Sequence, residues 1–120
     1  MIKYVPKTAD ELGIEDKSFF GYVGFDLSEN NTECGRSIAR LDKYTMEILS
    51  VETNADAETV EGFIRSTLNY GANRNAYIAY YKAENGVDVA KTLGFEINSD
   101  GILEGEIPFL LQGSCCKDKR

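Results

Sequence analysis

The sequence predicts a mixed α/β domain, in which an antiparallel meander leads into a parallel β-α-β crossover and a C-terminal hairpin closes the sheet. Three observations predict it. Residues 18–53 fall into three strand-like runs parted by turn-forming residues, the first apolar on both faces and the next two read at period two. Residues 57–70 change to the i, i+3, i+4, i+7 spacing of a core-facing helix. Residues 76–81 return at once to strand composition. A strand at 47–51, the helix and the strand at 76–81 therefore make a crossover between parallel strands, right-handed as such units are.

The elements follow in order. Residues 1–5 read as a short edge strand stopped by Pro6, and Thr8 to Gly13 as one helical turn with Thr8 as its cap and Gly13 as its stop. The strand at 18–27 is apolar on both faces, Phe19, Gly21, Val23, Phe25 and Leu27 opposing Phe20 and Tyr22. Ser28-Glu29-Asn30-Asn31 is a turn by composition. In the strand at 33–41, Arg36, Ile38 and Arg40 alternate with Ser37, Ala39 and Leu41. Asp42-Lys43 then turns the chain into a strand at 44–53, whose alternation puts Glu47 on one face with Leu49 and Val51.

Val60, Phe63, Ile64, Thr67 and Leu68 form the stripe of the long helix, 57–70. Asn54 or Asp56 caps it, and Asp56, Glu58 and Glu61 suit its positive end. Gly62, costly inside a helix, marks a close approach, and Gly71 ends the helix. Asn85-Gly86-Val87-Asp88 has the form of a capping box ahead of a short helix with Val87, Ala90 and Leu93 inward. Gly94 stops that helix and Phe95 packs back beneath it. Asp100-Gly101 turns a final hairpin whose second strand covers 102–111, followed by a flexible tail, 113–120.

Composition narrows the function. The 120 residues, 42% hydrophobic and 28% charged, make a single globular domain with a real core. No apolar run approaches the roughly 18–20 residues of a membrane span, and the first residues lack a signal-peptide core, so a cytoplasmic protein with no membrane partner is expected. A net charge of −7 argues against nucleic acid as a partner, because such binding is mostly cationic contact with phosphate. With no histidine, the usual triads and most catalytic zinc sites are removed, no metal is expected, and acid–base work falls to carboxylates, tyrosines or water. Three cysteines, Cys34, Cys115 and Cys116, make no disulfide framework.

From about residue 18 to residue 111, the order of meander, helix, strand and short helix ending in Leu93-Gly94-Phe95, then a hairpin, resembles the GNAT (Gcn5-related N-acetyltransferase) fold of the acyl-CoA N-acyltransferases. The segments that carry the resemblance are Met46-Glu47-Ile48-Leu49-Ser50-Val51, the helix behind it, and Ala90-Lys91-Thr92-Leu93-Gly94-Phe95-Glu96. The resemblance implies an acetyl-CoA-dependent N-acyltransferase acting on a small-molecule or peptide amine. It implies two central strands that splay apart, with the pantetheine arm of acetyl-CoA lying along Leu49, Val51 and Thr53 like an added strand. The pyrophosphate would then rest on Asn54, Ala55, Asp56 and Ala57 at the start of the helix, and Asn85 would correspond to the asparagine opening the next helix.

The chain also departs from that pattern. The family's Arg/Gln-x-x-Gly-x-Gly/Ala loop is Thr53-Asn54-Ala55-Asp56-Ala57-Glu58 here, without glycine and with two acids. Ala90 stands at the position of the family tyrosine that protonates the leaving thiolate, and the N-terminal helices are reduced to residues 6–17. Two readings follow: an acyltransferase, or a catalytically inactive binding or regulatory module, or dimerisation domain, that uses the shortened side as a homodimer interface.

Within the first reading Glu47 is the candidate general base, its pKa raised beside Leu49 and Val51, against the alternative of a strand glutamate paired with Arg36 or Arg40, or simply solvated. Tyr77, Tyr80 and Tyr81 are candidates for the missing acid, against core packing, with Tyr80 named beside Glu47 as catalytic. Arg65 and Arg74 are weighed as phosphate ligands against plain solvation, and Cys115-Cys116 as thiols near the acyl carbon against an inert pair.

Overall fold

In a computed structural model, which describes residues 1–112, seven strands form one mixed sheet with helices packed mainly on one face. The elements are β1 (Ile2–Thr8), α1 (Ala9–Leu12), β2 (Phe19–Asp26), β3 (Thr32–Asp42), β4 (Thr45–Thr53), α2 (Ala57–Ala72), β5 (Ile78–Tyr81), α3 (Val87–Leu93), β6 (Glu96–Ile97), β7 (Leu103–Glu106) and α4 (Ile107–Leu110). Their spatial order is β1-β2-β3-β4-β5-β7-β6. Only β4 and β5 are parallel, joined through α2, and every other neighbouring pair is antiparallel. The expected meander, crossover and closing hairpin are all present. The tail from residue 113, with Cys115 and Cys116, lies outside the described residues.

α2 covers one face of the sheet. Phe63, Ile64 and Leu68 meet Phe20, Ala39, Met46, Ile48, Val51 and Ala79 in a core that also takes Leu93, Phe95, Ile107 and Leu110 from the later elements. Thr67, expected on the buried stripe, is fully buried and satisfies its hydroxyl on the Phe63 carbonyl at 2.7 Å. Gly62 does mark a close approach: the Tyr4 ring from β1 lies against it, and the Tyr4 hydroxyl donates to the Thr59 carbonyl at 3.0 Å.

Five local expectations are corrected. Pro6 does not stop β1, which pairs through it in register with Tyr22. β1 is the sheet's edge, where a proline's missing N–H costs no ladder bond. Gly71 does not end α2, which runs on to Ala72 with Asn73 as its cap. Its bare Cα instead lets the helix close on the buried Met46. Asn85 forms no capping box; the α3 cap is Gly86, at φ 81, without a side-chain bond. Residues 102–111 are not one strand: β7 stops at Glu106 and α4 begins, with Pro108 in its first turn and Ile107 and Leu110 buried at helical spacing. Finally, β4 does not alternate regularly. Ile38 pairs with Ser50 and Ala39 with Ile48, so Leu49 is an extra, bulged residue. The bulge turns Val51 onto the face of Met46 and Ile48, away from Glu47.

Candidate functional site

The bulge lies where the two parallel strands part. β4 and β5 pair from Thr45 opposite Ile78 to Ile48 opposite Tyr81, and the Lys82 N–H donates to the Ile48 carbonyl at 2.8 Å as the last rung. Beyond it β4 stays paired with β3 to Thr53, while the chain after β5 leaves the sheet toward α3. A regular strand presents a carbonyl to the same edge at every second residue. Here Ile48 and Val51, three apart, both point toward β5, because the Val51 carbonyl accepts the Asn85 side-chain amide at 3.4 Å. The bulge thus gives β4 an edge past the last rung, and Asn85 spans the gap. Asn85 is held from behind, since the Tyr81 hydroxyl donates to its carbonyl at 2.6 Å. Burial pushes the Tyr81 phenol up to about 12, so it keeps its proton.

At the Thr53 end of the gap the chain turns into α2. The Thr53 hydroxyl donates to the Cys34 carbonyl at 2.7 Å and accepts the Ala55 N–H at 3.1 Å, which fixes the turn through Asn54. Asp56 is the N-cap: its carboxylate accepts the Thr59 N–H at 3.0 Å and the Thr59 hydroxyl at 2.8 Å. Those bonds hold its pKa below the ordinary carboxylate value, so a fixed negative charge sits on the helix terminus. Ala57 opens the helix and, with Glu58, Glu61, Asp88, Val89 and Thr92, lines a hollow of ≈310 Å³ between α2 and α3.

On the face turned away from α2, cross-strand register sets Arg40, Glu47, Tyr80 and Glu104 side by side on β3, β4, β5 and β7. Glu47 and Tyr80 are direct partners. The Glu47 carboxylate takes Arg40 at 2.7 Å on one oxygen and Lys82 on the other. These contacts, the Lys82 bond first, hold its pKa below the ordinary value against the opposing effect of burial. The raised pKa expected for Glu47 is therefore corrected, and the expected Arg40 pairing is present. Glu47, Tyr80, Lys82, Asn98, Asp100 and Glu104 are among the lining of a second hollow of ≈310 Å³.

The other candidates fall in different places. Tyr77 is half exposed and precedes β5, at the end away from the gap, and Tyr81 is spent on Asn85. Ala90 is fully buried in α3. Arg65 pairs with Glu61 at 2.7 Å, two turns into α2, and Arg74 stacks on Tyr70 beyond the far end of that helix. Cys34 lies on β3, its thiol pushed up by burial. Lys82 is the residue that sequence reasoning missed. The signal for it is its position: one residue after Tyr81, it shares the period-two face of Tyr80 and hence of Glu47.

Comparison with solved structures defines the class: the chain has the fold of the GNAT acetyltransferases. A protein assigned to that family from Desulfovibrio desulfuricans superposes with a TM-score of 0.66 at 8% identity, over 82% of this chain and 75% of that one. The aminoglycoside 6'-N-acetyltransferase of Enterococcus faecium gives 0.63 at 10%, over 82% and 80%. The PaiA N-acetyltransferase of Thermoplasma acidophilum, solved in complex with coenzyme A, gives 0.63 at 10%, over 82% and 65%. No family model and no curated protein sequence matches the chain. Among the described residues no helix is long and apolar enough to cross a membrane, and no group of His, Cys, Asp and Glu is placed to hold a metal ion.

Proposed function

We propose that this protein transfers an acyl group from a thioester, acetyl-CoA in the family's usual form, to a small-molecule or peptide amine. The observation that carries the reading is the parting of β4 and β5 at the Leu49 bulge, directly beside the Glu47–Tyr80 hollow. A strand edge freed past Ile48 is suited to the amide groups of a pantetheine arm, with Val51 supplying an acceptor along it. The neighbouring hollow, where the carboxylates of Glu47, Asp100 and Glu104 outnumber the one ammonium of Lys82, suits an amine.

In this reading the carbon–nitrogen bond forms as the carbon–sulfur bond breaks, the amine's proton leaves to water, and the thiolate takes a proton in turn. Glu47, held charged by Arg40 and Lys82, orients the amine rather than storing its proton, and Tyr80 offers a hydroxyl on the same face. A second reading, a relative that binds without turnover, draws on Ala90, whose buried methyl leaves no acid at the family tyrosine's position.

The test is thiol release from acetyl-CoA and from S-acetylpantetheine against a panel of diamines, amino sugars and lysine peptides, with the product weighed by mass spectrometry. Amine-dependent release is expected, reduced about tenfold or more in Glu47→Gln. Release no faster than buffer across the whole panel, while a thioester binds, would favour the second reading.

A further inference from the structure

The gap and the start of α2 differ in what they can hold. We infer that this chain grips an acyl donor by its acyl and pantetheine end alone, so that a thioester lacking the nucleotide phosphates serves at least as well as acetyl-CoA. The inference rests on the acyl-transfer reading above and concerns only the donor's far end.

Whatever leaves the gap at Thr53 meets the first turn of α2 and the groove between α2 and α3. A helix N-terminus is an anion site because its first N–H groups have no partner in the helix. In this chain an internal anion already takes one of those groups, the Asp56 carboxylate accepting the Thr59 amide and hydroxyl, and its charge sits on the helix terminus. The adjoining groove is lined by Glu58, Glu61 and Asp88, and no lysine or arginine is among its described lining residues. The nearest arginine in sequence, Arg65, is committed to Glu61. A pyrophosphate placed there would face the carboxylates of Asp56, Glu58 and Asp88, with only Glu61 balanced by an arginine, and there is no glycine in residues 54–58 to let backbone close on it. The nucleotide end of coenzyme A does not fit these residues. The uncharged pantetheine end meets no such opposition along β4, where the Val51 carbonyl is available once Asn85 lets go.

Calorimetric titration of the full chain with acetyl-CoA and with S-acetylpantetheine, each at low and high salt, tests this. The expected result is that S-acetylpantetheine binds as tightly as acetyl-CoA or tighter, and that salt improves acetyl-CoA alone by screening the acids. Glu58→Gln and Asp88→Asn should each tighten acetyl-CoA about two- to fivefold and leave S-acetylpantetheine unchanged. If both thioesters bind but acetyl-CoA is about tenfold tighter, and the variants do nothing, this inference is overturned while the acyl-transfer reading stands. If neither thioester binds, both are overturned.

Discussion

The side-chain amide of Asn85 donates to the Val51 carbonyl at 3.4 Å, across the gap between two strands that share no backbone bond at that level. The amide is a donor of the kind that an incoming pantetheine arm would bring, so the chain fills that acceptor with its own group. Asn85 is anchored to Tyr81, and next to it Gly86 sits where a Cβ would come within 2.5 Å of the Tyr81 hydroxyl oxygen and 2.9 Å of Val60 Cγ1. The segment joining β5 to α3 is thereby pinned between β5, β4 and α2.

Asn85→Ala should loosen that segment. Losing one neutral hydrogen bond of this length is worth about 0.5 kcal/mol, so amides of residues 83–86 should exchange with deuterium about twofold faster while β1 to β3 are unchanged. S-acetylpantetheine should bind somewhat more tightly, since it no longer displaces the carboxamide. Unchanged exchange, or weaker thioester binding, would mean that Asn85 is no clasp.

Glu47 makes stability depend on pH in a defined direction. Its pKa is lowered on folding, so its contribution is complete above the unfolded value of about 4.3 and is lost as pH falls through the lowered folded value. Glu47→Gln should cost about 1 kcal/mol near neutral pH, because Arg40 and Lys82 then face each other without a carboxylate. The difference from the parent should shrink toward about pH 3. Urea denaturation of both proteins across this range measures it, and a gap that widens in acid would refute the ion-pair account.

Gly62 and Tyr4 should be coupled. Alanine in a helix interior gains about 1 kcal/mol over glycine, but a methyl at residue 62 collides with the Tyr4 ring and hydroxyl. Displacing that ring also disturbs its bond to Thr59 and its edge contact with Phe63, centroids 4.9 Å apart. Gly62→Ala should therefore destabilise by about 1–2 kcal/mol in the parent and stabilise in a Tyr4→Ala background. A double-mutant cycle by thermal or urea unfolding gives the coupling; additive effects would show that the approach is relaxed at no cost.

The scaffold was legible because its signals are local. Period-two runs, the helical stripe from Val60 to Leu68, and the Leu93-Gly94-Phe95 close each fix an element from a few neighbouring residues. The site was less so, because it hangs on one inserted residue. The Leu49 bulge leaves no mark in composition, yet it reverses the face of Val51 and decides which carbonyls enter the gap. The pairing of Glu47 with Arg40 is legible from adjacent strands, whereas its second partner, Lys82, is reached across the parallel β4–β5 pair, whose register no local pattern sets. The resemblance to a helix-opening asparagine puts Asn85 near the site, but its bond runs to β4 and not to its own helix. A side chain that caps nothing carries no local signature of what it reaches.

Backbone amide shifts during titration with S-acetylpantetheine, followed by acetyl-CoA, test most directly whether the gap between β4 and β5 is the binding site. The account predicts the largest perturbations at Leu49, Ser50, Val51 and the 82–86 segment, extending to Tyr80, with little change in β1 and β2. Perturbations confined to the α2–α3 groove or to β1 and β2, with Leu49 to Val51 silent at saturation, would contradict it.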